Sequence, residues 1–212
     1  MTAATIYLKD KSDNMNFNDG TVPRPVIISL GIGLILMAVF TFFWGGLVGA
    51  NLTDTKMWVC FGLIDIIALT FICYAIHLFI ISKKFLVTRG VDIEKRKMML
   101  KKYGIIFGIE GLLIAVSVLI LKYILLDNLI IPTIAIIVGL HFFPMANLFQ
   151  RKLDYYTATW TSVVGIIGLT LTLTKTLPDK TIQIMVGIGV AMVTTLYGIY
   201  MIVQAQKYKS IV

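Results

Sequence analysis

The chain has 212 residues, is 58% hydrophobic and only 14% charged, and its mean hydropathy is +0.89. Soluble domains carry about 25% charged residues. The deficit, spread over long apolar runs, excludes an ordinary water-soluble fold, a disordered chain and a nucleic-acid-binding domain. The net charge of +8 would point to an acidic partner in a soluble protein; here the basic residues flank apolar segments, where they orient the chain in a bilayer.

A polar N-terminal tail, residues 1–24, lacks hydrophobic periodicity and reads as a mobile or surface segment. A spanning helix needs about 20 apolar residues. Six segments qualify, at 25–50, 57–82, 103–126, 129–149, 155–176 and 181–204, which predicts an all-α integral membrane bundle of six transmembrane helices. Val48-Gly49-Ala50 could pass for a signal-peptide cleavage site, but the apolar stretch before it exceeds the 7–15 residues of a signal core. It is read as an uncleaved helix. Links of two to six residues after the first, third and fourth spans force antiparallel neighbours, and Pro178-Asp179 marks the turn between the last two.

The positive-inside rule sets the orientation. With the N-terminus in the cytoplasm, 15 lysines and arginines fall on the inner side and 4 on the outer side. Both termini, including the tail 205–212, are therefore expected in the cytoplasm, with the plasma (inner) membrane as the location. The largest link, 83–102, is a basic cytoplasmic loop with Lys83, Lys84, Arg89, Lys95, Arg96, Lys97, Lys101 and Lys102. It reads as a topogenic loop with a helical extension into the third span. The sharper alternative is contact with anionic headgroups or an acidic partner.

Small residues let membrane helices approach. At 100° per residue, Gly31, Ala38, Gly45 and Gly49 align in the first span. Gly104, Gly108, Gly111 and Ala115 align in the third, Thr161, Gly165, Gly168 and Thr172 in the fifth, and Gly187, Ala191, Thr194 and Gly198 in the sixth. Four stripes argue for close packing, within the chain or against another subunit.

Ionisable residues inside a span are costly and mark functional candidates. Four stand out: Asp65 and His77 in the second span, Glu110 in the third and His141 in the fourth. At about 1.5 Å per residue, Glu110, His141 and His77 fall in the inner half and Asp65 in the outer half. His141 precedes Pro144 by three residues, and Pro144 would open the backbone at the Leu140 carbonyl and serve as a hinge. The bland alternatives are a hydrogen-bonded core histidine, a snorkelling His77 and structural carboxylates.

The stretch from Gly139 to Thr157, with His-Phe-Phe-Pro followed by Asp-Tyr-Tyr, resembles a signature of small multi-span bacterial membrane proteins of unknown function. It covers about a tenth of the chain and implies no substrate or activity.

Four functions compete. A non-enzymatic subunit or regulator of a membrane assembly fits the small size, the glycine-lined helices and the basic loop. The alternative is a small solute carrier or proton-coupled transporter that uses Glu110 and His141 in an inner-half cavity. Haem ligation by His77 and His141 is disfavoured by a depth difference of about 9 Å, and paired-carboxylate catalysis by Asp65 and Glu110 by about 12 Å. No cofactor, metal or enzymatic activity is expected. The expected partners are the lipid bilayer and another membrane protein or a second copy. Cys60 and Cys73 lie thirteen residues apart in one span, too far to join each other.

Overall fold

A computed structural model describes residues 24–84, 93–149 and 151–209; within helices, the side chains of residue 25 and of residues 93–97, 208 and 209 are outside that description. Most of the N-terminal tail, Arg89, and the side chains of Lys95, Arg96 and Lys97 thus lie outside the described residues. The helices are α1 (Arg24–Asn51), α2 (Asp54–Ser82), α3 (Ile93–Tyr123), α4 (Ile130–Phe149), α5 (Lys152–Thr174) and α6 (Asp179–Lys209), with a 3-10 turn at Asp127–Leu129 before α4. The described chain is all-helical, and six helices are long and apolar enough to cross a membrane.

Helix ends shift from their expected places for local reasons. α3 begins ten residues before position 103, so half of the expected basic loop is helical. Its 31 residues span about 46 Å at 1.5 Å each, more than the roughly 30 Å hydrocarbon thickness. The excess is Lys-, Arg- and Met-rich, composed of strong helix formers. α6 likewise continues through 205–209, which were expected as tail. α3 stops at Tyr123 because Leu125 turns left-handed (φ 59°) and the Leu126 N–H closes back on the Leu121 carbonyl at 2.9 Å. Lys175 (φ 51°) ends α5 in the same way, with the Thr176 N–H on Leu171.

The helices stand in an open row, α2–α1–α6–α5–α4–α3. The four pairs joined by short links are neighbours, as expected. The remaining neighbour pair, α1 with α6, brings the first and last helices together. α2 and α3, joined through the long link, occupy opposite ends of the row. Two apolar cores fill it. One joins α1, α2 and α6 through Leu34, Phe71, Leu78 and Met201. The other joins α1, α4, α5 and α6 through Trp44, Val138, Phe142, Val186 and Val190.

Glycines set the closest contacts. A Cβ on Gly165 would meet the Ile136 backbone nitrogen at 2.8 Å, and one on Gly139 the Ser162 nitrogen at 2.5 Å, so α4 and α5 touch backbone to backbone. Gly45 and Gly49 receive Ile64 and Phe61 of α2; Gly168 meets Val186; Gly187 meets Val48 and the Trp44 carbonyl; Gly198 meets Phe71. The third-span stripe departs from this pattern. Gly104, Gly108 and Gly111 have open space where a Cβ would stand, and Ala115 is exposed. That stripe faces no other helix among the described residues, because α3 packs on α4 with a different face.

Candidate functional site

The face that α3 turns to α4 centres on Glu110. Among the described side chains of α3 (98–123), Glu110 alone is buried, at 5% exposure. A carboxylate is an expensive residue at the one buried position among the described side chains of a helix apolar enough to cross a membrane. Its partner is His141 of α4, 7% exposed, whose Nδ1 lies 3.1 Å from Glu110 Oε1. The approach is within ion-pair distance, yet Nδ1 makes no aligned hydrogen bond. Aromatic rings pack around the pair: Phe107 at 5.4 Å and Phe142 at 4.3 Å from the imidazole, between centroids, with Tyr103 stacked on Phe107 at 4.7 Å.

A second polar group lies at the same end of the bundle. Asp154, in the first turn of α5, is 2% exposed and accepts a hydrogen bond from the Tyr197 hydroxyl of α6. Arg151 donates to that hydroxyl at 3.3 Å. Arg151 and His141 are the basic side chains near Asp154. Phe142 bridges the two groups, 4.3 Å from His141 and 6.3 Å from Tyr197. Four helices thus contribute to this end: Glu110 from α3, His141 from α4, Asp154 from α5 with Arg151 just before it, and Tyr197 from α6.

The other two sequence candidates lie elsewhere. Asp65 is exposed on α2, and His77, half-buried, lies five residues before the end of that helix. His77 borders a shallow groove of about 550 Å³ with Ile66, Leu69, Thr70, Cys73 and Tyr74. α2 and α4 do not pack side by side, so His77 and His141 are not brought together. Among the described residues, no three His, Cys, Asp or Glu side chains cluster as metal ligands would. Pro144 is exposed, and α4 continues through it as one helix.

In the sequence, Asp154 stood out only within the Asp-Tyr-Tyr of the Gly139–Thr157 signature, and Tyr197 was passed over. One signal was available. Asp154, Thr157, Thr161, Gly165 and Gly168 share one face of α5, and all five are buried, so a carboxylate heading a small-residue seam already pointed inward.

Comparison with protein-family models, with curated proteins and with solved structures yields no match. The reading of function therefore rests on geometry.

Proposed function

We propose that the chain is a non-enzymatic subunit or regulator of a membrane assembly in the plasma membrane, with both termini in the cytoplasm. One observation carries this reading. α3 stands at the edge of the row against α4 and leaves Gly104, Gly108 and Gly111 facing open space. Glycines spaced by four are the feature through which membrane helices approach a partner. The lysine and arginine count supports the orientation, and it puts the end of α3 that carries Lys101 and Lys102 at the inner face, beside anionic lipid.

The test is native mass spectrometry on protein gently extracted from its own membrane, with Gly108→Leu and Gly187→Leu as a pair. Polypeptides at fixed stoichiometry that disappear in Gly108→Leu, while the chain stays folded, support the subunit reading. A lone chain, unchanged by Gly108→Leu, refutes it. Gly187→Leu reports on folding instead, because that site is already filled by Val48 and the Trp44 carbonyl.

A second reading, a small proton-coupled carrier, is favoured by the meeting of Glu110 and His141. Loss of solute uptake in folded Glu110→Gln and His141→Ala would support it; wild-type behaviour of both would end it.

A further inference from the structure

Five threonines of this bundle bond a carbonyl of their own helix. Thr70, Thr170, Thr172 and Thr174 donate to the carbonyl one turn earlier, at 2.7–2.9 Å. Thr194 bonds both the Ala191 carbonyl and Thr41. This is the ordinary resting place of a helical hydroxyl in lipid. Thr157 and Thr161 are each 1% exposed, and neither hydroxyl has a hydrogen-bond partner among the described residues. A buried hydroxyl that declines its own helix is one that water or an ion satisfies.

The register of α4 against α5 locates these hydroxyls. Gly139 faces Ser162 and Gly165 faces Ile136, so residues whose numbers add to 301 share a level. His141 then lies level with position 160, between Thr157 and Thr161. Asp154 is six residues nearer the bundle end, about 9 Å at 1.5 Å per residue. Thr157 falls about halfway between the two charged groups. It is the buried hydroxyl at the level where a water could span them.

Charge indicates what the water carries. Arg151 offsets Asp154, while Glu110 faces a histidine that is neutral unless protonated. Glu110 stands against His141, Phe107 and Phe142 pack on its ring, and the next charged group is Asp154 with Arg151 and Tyr197 beside it. With His141 neutral, the set carries one net negative charge, which is costly when buried. Nδ1 and Oε1 stand 3.1 Å apart, close enough for a proton carried by either group to offset the charge of the other.

We propose that the bundle holds a water-lined proton site: one exchangeable proton shared by Glu110 and His141, in contact with Asp154 through water anchored on Thr157 and Thr161. The proton passes by exchange of O–H bonds along the water, ends on the His141 imidazole beside the Glu110 carboxylate, and leaves by the reverse route. Tyr197 and Arg151 hold the Asp154 carboxylate at the mouth. This inference deepens the carrier reading above and rests on it; unchanged ring exchange in folded Thr157→Val would overturn the inference alone, whereas wild-type uptake in Glu110→Gln and His141→Ala would end the carrier reading.

The test uses the full chain in lipid nanodiscs, with His77→Asn leaving His141 as the single histidine. Ring-nitrogen NMR is recorded from about pH 5 to 8, the range in which a histidine changes charge. The site requires reversible interconversion of neutral and charged imidazole, unchanged when sodium chloride replaces choline chloride. Thr157→Val, which keeps the shape and removes the hydroxyl, should slow exchange of the ring N–H with solvent at least about tenfold; the surface variant Thr170→Val should leave it unchanged. A single neutral form throughout, a sodium-dependent signal, or unchanged exchange in folded Thr157→Val overturns the proposal.

Discussion

Alanine at Gly165 and alanine at Gly108 are the same chemical change in two transmembrane helices, and the structure expects opposite results. At Gly165 the new Cβ would lie 2.8 Å from the Ile136 nitrogen and 3.1 Å from the Ala135 carbonyl carbon. Ordinary contact begins near 3.5 Å, so α4 and α5 must part by several tenths of an ångström. The neighbours are backbone, and no rotamer change relieves them. Overpacking of this kind costs about 1–3 kcal/mol. At Gly108 nothing stands within 4 Å, so the replacement retains alanine's helix advantage of about 1 kcal/mol. The helix advantage is common to both variants and cancels, so they should differ by the overpacking cost of about 1–3 kcal/mol in reversible unfolding in mixed micelles, with Gly165→Ala the weaker. Equal stabilities would refute the close α4–α5 contact. A destabilised Gly108→Ala monomer would refute the open face of α3.

Three further outcomes follow. His141→Leu alone strands the Glu110 carboxylate and should destabilise the docking of α3 by about 3 kcal/mol, while His141→Leu with Glu110→Leu should recover most of it, because an apolar pair replaces a buried ionic one at little cost; a double-mutant cycle in detergent unfolding reads the coupling, and additive losses would contradict the pairing. Asp65→Leu should improve insertion of α2 by about 3 kcal/mol on a translocon scale, since the residue is exposed on the helix surface; reduced insertion would mean that Asp65 serves a partner. Trp160→Phe removes the bond from the indole Nε1 to the Gly189 carbonyl, 2.9 Å long, and should cost about 1 kcal/mol, measured by the shift in unfolding midpoint; no change would show the bond to be exchanged for water or lipid.

Hydropathy alone determined the six helices, because in hydrocarbon every backbone group must bond within its own segment and about 20 apolar residues are enough to show where. The short links fixed which neighbours are antiparallel. Spacing at 100° per residue found the seams on α1, α5 and α6, where Gly49, Gly165 and Gly187 do meet other helices. It assigned the same role to Gly104 and Gly108, since a stripe of glycines has the same pattern whether or not a neighbour stands against it. Charge counting singled out Glu110 and His141 by their cost in lipid. Tertiary structure decided that these two meet, that Asp65 and His77 lie apart from them, and that Tyr197 and Asp154 join the same end of the bundle. The order of helices in the row is set by which apolar faces fit, and those contacts join residues as distant as Thr41 and Thr194. No local period in the sequence encodes a meeting across 153 positions; packing of the whole bundle does.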